Sequence, residues 1–134
     1  MTVLWLDDYR DPYEWIEAIP VESNAITNIV WVKSHVEFID WIKANGLPDI
    51  VCFDHDLSQE HYHHIPQSAA EHEVIIDSFE EKTGYHSAKW LIDYCMNKGV
   101  KLPMYSSHSA NPVGRVRILS LLSSYRNHIE TKKP

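Results

Sequence analysis

Two short acidic clusters have residue types and positions suited to chemistry: Asp7-Asp8, and Asp54-His55-Asp56. Each directly follows an apolar run, Val3-Leu4-Trp5-Leu6 in the first case and Ile50-Val51-Cys52-Phe53 in the second. Such a run is the pattern of a strand buried on both faces, which puts the acids at the carboxyl ends of two strands. If those strands are neighbours, as many as four carboxylates share one rim, where they repel and raise one another's pKa. A divalent cation relieves that repulsion, and oxygen ligands such as Asp7, Asp8, Asp54 and Asp56 suit magnesium or manganese. Asp7 and Asp56 also have a plainer role open to them, as turn caps or as partners of Arg10, because turns favour aspartate.

A second candidate segment is Ser106-Ser107-His108-Ser109-Ala110-Asn111-Pro112. It leads from an apolar stretch into a helix, with Asn111 at the N-cap and Pro112 at the first helical position. Free amides and the helix dipole make such a start an anion site. Arg115, about one turn further on, could grip a phosphate with two parallel hydrogen bonds. It could equally form a structural ion pair with Asp54 or Asp56. The phosphate-binding candidates are therefore Arg115, Ser107, Ser109, Asn111 and Arg10. His108 is the first candidate for general acid or base, because imidazole titrates near neutrality, and His55 is the second. Asp54 is a candidate nucleophile, since carboxylates can attack phosphorus. His61, His63 and His64 fit no closed metal site and read as a solvated loop or as part of a lid that touches substrate.

The elements that must position these residues follow from periodicity. Pro12 opens a short helix carrying Trp15, Ile16 and Ile19, which Pro20 stops. A second strand covers residues 29–32. Ser34, with Glu37 three residues later, is a capping box for a helix that buries Phe38, Ile39 and Ile42 and ends at Gly46. After Gly84, the residues Ala88, Leu91, Ile92, Cys95 and Met96 recur at helical spacing up to Gly99. Residues 102–107 make a fourth strand. The helix from Pro112 places Ile118, Leu121, Leu122, Tyr125 and Ile129 on one face, before a frayed tail at 131–134. Residues 58–83 show no clean period and are read as an inserted lid after the third strand, with a short element at Val74-Ile75-Ile76. Trp5, Trp15, Trp31, Trp41 and Trp90 are all placed in core and helix packing rather than in base stacking. Strands alternating with helical crossovers give a parallel sheet covered on both sides, with its ligand crevice at the strand carboxyl ends.

The composition sets limits on function. A chain of 134 residues makes one domain, 1–134, with 58–83 as its insert. With 44% hydrophobic and 23% charged residues it is globular rather than disordered. A formal charge of −7 argues against broad nucleic-acid binding, so an anionic ligand needs a local cation. Cys52 and Cys95 lie among apolar residues without metal-site spacing and are expected as buried thiols. The first apolar run is cut off by Asp7, so neither a signal peptide nor a membrane span is expected, and the location is expected to be cytoplasmic.

Taken together, Leu4-Trp5-Leu6-Asp7-Asp8-Tyr9-Arg10-Asp11-Pro12, Phe53-Asp54-His55-Asp56-Leu57, Thr83-Gly84 and His108-Ser109-Ala110-Asn111-Pro112-Val113-Gly114-Arg115 resemble the cyclic-phosphate processing receiver-like domain family across nearly the whole chain. The resemblance implies a flavodoxin-like, three-layer α/β sandwich with a four-stranded parallel sheet in the order 2-1-3-4, and a role in processing cyclic or terminal phosphates. The chain is also similar to response-regulator receivers. Asp7 and Asp8 match their metal-binding pair, Asp54 their phospho-accepting aspartate, and Ser106 or Ser107 their switch hydroxyl. No segment supplies the fifth strand and its lysine, which argues against ordinary phosphorelay signalling and leaves Arg115 or His108 to take the lysine's electrostatic place.

The leading expectation is a metal-assisted phosphoesterase acting on a cyclic or terminal phosphate of a nucleotide or RNA end. The alternatives are a module that sequesters a cyclic nucleotide or phosphorylated ligand without turnover, and a degenerate receiver used for protein interaction.

Overall fold

The computed structural model describes residues 1–57, 68–72 and 82–131. The four apolar segments form strands β1 (Thr2–Leu6), β2 (Asn28–Val32), β3 (Ile50–Phe53) and β4 (Met104–Ser107). They make one all-parallel sheet in the order β2-β1-β3-β4, the order of a receiver-like α/β fold.

Among the described residues, three long helices connect or follow the strands: α1 (His35–Asn45), α2 (Gly84–Lys98) and α3 (Pro112–Thr131). Local chemistry sets their ends. Ser34 Oγ accepts from the Glu37 amide at 3.1 Å at the start of α1. The Thr83 amide donates to His86 Nδ1 at 3.0 Å at the start of α2, and Asn111 Oδ1 accepts from the Gly114 amide at 2.9 Å in α3. Gly99 closes α2 in the left-handed conformation, at φ +65°.

All three helices pack on one face of the sheet. Phe38 and Ile42 of α1, Ala88 and Leu91 of α2, and Ile118 and Leu122 of α3 share a core with Leu4, Leu6, Val51 and Phe53. Val3, Trp5, Ile50 and Cys52 point to the other face, as strand alternation requires, and pack against Ile19. The helix expected after Pro12 is absent from that side. The segment instead makes two 3₁₀ turns, Ile16–Ala18 and Ser23–Ala25, because Pro20 leaves too few residues to repay helix nucleation. Among the described residues the second covering layer is therefore turns rather than a helix.

Two further expectations fail locally. Met96 is exposed rather than buried, and Trp15 is half open to solvent instead of packed. Cys52 and Cys95 are buried, and burial pushes both thiols up to about 11, so they are inert core. Within the expected insert, residues 69–72 form a helical turn. The element at Val74-Ile75-Ile76, the cluster of His61, His63 and His64, and the tail at 132–134 lie outside the described residues. Among the described residues no helix is long and apolar enough to cross a membrane.

Candidate functional site

The sheet register builds the site. The last paired residues of β1, β3 and β4 are Leu6, Phe53 and Ser107, so Asp7, Asp54 and His108 each stand one step beyond, at one level. Backbone bonds carry the ladder that far: Asp7 donates to the Val32 carbonyl at 3.1 Å, Asp54 to Leu6 at 2.9 Å and His108 to Phe53 at 3.0 Å. Alternation turns these three side chains to the Trp5 side, while Ser107 turns with Leu6 and Phe53 toward the helices. The residue level with Asp54 is thus an imidazole. The hydroxyl expected there, on Ser106 or Ser107, falls one or two positions short.

Asp7, Asp8 and Asp54 each offer a carboxylate oxygen, and these oxygens all lie within 4.8 Å of one another. Asp7 is fully buried; its Oδ1 accepts from the amides of Tyr9 and Arg10, both at 2.8 Å, and its Oδ2 lies 2.9 Å from His108 Nε2. Burial alone would raise its pKa, but the bonds from His108, Arg10 and Tyr9 outweigh that and hold it below the ordinary value. Asp54 goes the other way. Burial above all, with the neighbouring charges of Asp7 and Asp56, pushes it up to about 8 against the attraction of Arg10. Its Oδ1 accepts from the His55 amide at 2.9 Å, whereas among the described residues no hydrogen bond reaches its buried Oδ2.

Arg10 is the cation of this crest. Its NH1 lies 3.4 Å from Asp7 Oδ2 and 3.5 Å from Asp54 Oδ2, so the residue expected to bind phosphate pairs with carboxylates here. Three oxygen donors gathered this closely could hold a hard cation.

His108 lies flat on Trp5, with ring centroids 3.8 Å apart and planes within 5°. Its Nε2 is held by Asp7, and its buried Nδ1 has no hydrogen-bond partner among the described residues. The bond to Asp7 and the stack on Trp5 together fix the orientation of the ring.

A second network lies on the helix side of the sheet. His55 is buried, with Nδ1 2.8 Å from Asp56 Oδ1 and Nε2 2.7 Å from Nε2 of His72. Glycine makes room for it at two helix starts. A Cβ on Gly114 would lie 2.5 Å from the His55 ring, and one on Gly84 would lie 1.6 Å from the Asp54 carbonyl oxygen. Asp56 therefore belongs with His55 and not with the carboxylates that could share an ion. His55 itself faces away from His108.

A family model described as the cyclic-phosphate processing receiver domain matches residues 2–124. The chain belongs to that family. The matched stretch includes all four strands of this receiver domain, the three crest acids and His108. A search of curated proteins returned no match.

The remaining expected site residues of the receiver domain take other places. Ser109 Oγ accepts from the Asn111 amide at 3.1 Å, and Asn111 caps α3 while its Nδ2 lies 3.5 Å from both His55 Nδ1 and Asp56 Oδ1. Both side chains are buried and spent on shaping the loop. Arg115 is exposed on the first turn of α3, and among the described residues the cation paired with Asp54 is Arg10. The ion pair considered for Arg115, and its use in place of a receiver lysine, are thus replaced by Arg10. Sequence reasoning missed His72, which has no periodic context. It also missed the indoles that fix the acid loop: Trp31 Nε1 donates to the Asp7 carbonyl at 2.6 Å, and Trp5 Nε1 to the Arg10 carbonyl at 2.9 Å.

Proposed function

We propose that this receiver domain is a metal-assisted phosphoesterase that hydrolyses a cyclic or terminal phosphate of a nucleotide or RNA end. The observation that carries the reading is the placement of His108, tied to one carboxylate of a three-carboxylate cluster in a family of cyclic-phosphate processing domains. Asp7, Asp8 and Asp54 would hold a magnesium or manganese ion. When bound, such an ion supplies Lewis-acid stabilisation of the phosphoryl oxygens and a more acidic water.

The chain's own groups do the rest. With Nε2–H donated to the Asp7 carboxylate, His108 Nδ1 carries the lone pair, and it takes a proton from an attacking water that must reach this buried atom. The water oxygen bonds to phosphorus, the bond from phosphorus to one ribose oxygen breaks, and His108 returns the proton to that oxygen. Stacking on Trp5 keeps the ring from turning away. Arg10 offsets the charge that develops on the phosphoryl group.

Incubating the protein with 2′,3′-cyclic nucleotide and magnesium or manganese, followed by phosphorus NMR, tests this. The expected product is a nucleoside monophosphate. His108→Ala is expected to lower turnover by about 10²–10⁴-fold, the range for losing a positioned acid or base, and Asp54→Asn to abolish it. Tight binding without product would make this a sequestering module, and indifference to every phosphate ligand would leave an interaction domain.

A further inference from the structure

We infer that the base of the nucleotide ligand stacks on an aromatic lip formed by Tyr9 and Trp15 beside the carboxylate crest. This rests on the reading that the crest holds the ligand's phosphate. Among the described residues, every large aromatic side chain that is strongly exposed lies between residues 9 and 15: Tyr9 at 81%, Tyr13 at 68% and Trp15 at 45%. Aromatic rings left in water forgo the stabilisation that burial would bring, so three in one short loop next to a polar site call for a use. Tyr13 has one nearby, lining a cleft with Ile16, Ile26 and Ile29. Tyr9 and Trp15 do not line it.

The backbone under these rings is fixed. The Tyr9 amide donates to Asp7 Oδ1, the Trp5 indole holds the Arg10 carbonyl, and the amides of Glu14 and Trp15 donate to the Asp11 carbonyl. The rings thus stand on a loop that is already ordered before binding, which lowers the entropic cost of stacking. Trp15 is also linked to the crest. The Arg10 guanidinium carbon lies 5.3 Å from the centre of the Trp15 ring, while NH1 of the same group reaches Asp7 and Asp54. One guanidinium therefore spans the gap from carboxylates to indole, a gap comparable to the ribose that separates a phosphate from its base. Aromatic faces beside an arginine suit base stacking with little preference among bases, since every base has a π-face.

The test compares 2′,3′-cyclic AMP with the 2′,3′-cyclic phosphate of methyl riboside, which lacks the base, in magnesium. Affinity is read as Kd, or as KM where turnover occurs. The lip predicts an advantage on the order of tenfold for the nucleotide, the ratio one stacked base contributes. Tyr9→Ala combined with Trp15→Ala brings the nucleotide down to the base-free ligand, and Trp15→Tyr keeps most of the advantage. Both sites are exposed, and circular dichroism verifies the fold. A short RNA ending in the same cyclic group, run alongside, shows whether the base belongs to a free nucleotide or a chain end. Equal affinity for the two small ligands in the wild type, or an advantage that survives the double substitution, overturns the inference. Base-dependent binding without hydrolysis removes the phosphoesterase reading and keeps the lip, whereas no binding of either ligand removes both.

Discussion

Asp54 ionises near 3.8 when unfolded and only near 8 when buried between Asp7 and Asp56, so over that window the folded chain holds a proton the unfolded chain has lost. Stability of the metal-free protein therefore falls as pH rises from about 4 to about 8 and levels above it. Asp7 contributes in the opposite sense: its lowered pKa stabilises the fold above the ordinary carboxylate range and is lost as acid protonates it. Urea midpoints measured across this range without metal should decline, and Asp54→Asn should flatten the decline; a midpoint that rises toward pH 8 would contradict a carboxylate whose burial outweighs its pairing with Arg10. The acids themselves were legible in the sequence, because paired aspartates after apolar runs mark strand ends. Their different fates were not, since these depend on which carboxylate receives His108 and the loop amides.

At the scale of elements, two helix starts press on the loop after β3. Alanine at Gly84 meets backbone, which cannot yield, and alanine at Gly114 meets the His55 ring. Each is expected to destabilise the domain by about 1–3 kcal/mol or more, as overpacking does, with Gly84→Ala the larger, read from urea midpoints. Ser34→Ala removes only a cap and should cost about 1 kcal/mol. Caps and apolar stripes made the strands and α1, α2 and α3 readable in advance. The helix after Pro12 was misread because Trp15, Ile16 and Ile19 keep helical spacing over too short a stretch to nucleate. The shift from a Ser107 hydroxyl to the His108 imidazole is a matter of register, and no local pattern reports register between β3 and β4.

For the whole molecule, the strand order follows from the βαβ alternation, while the placing of α1, α2 and α3 on one face goes with the 12–26 segment collapsing into turns. The formal charge of −7 has a functional consequence. Affinity for RNA ending in a cyclic phosphate should not grow with RNA length, and its loss with added salt should be shallow, because no excess of cations follows a phosphate backbone. Binding measured for a nucleotide and a ten-nucleotide RNA at several salt concentrations checks this; a steep salt dependence would contradict it. Fold, charge and chemistry all converge on the carboxylates at the end of β1 and β3. Manganese titration followed by electron paramagnetic resonance, in wild type and Asp54→Asn, probes them most directly. One ion should bind per wild-type chain and be lost in the variant, whereas a wild type that binds none, or a variant that binds as well, would contradict the account.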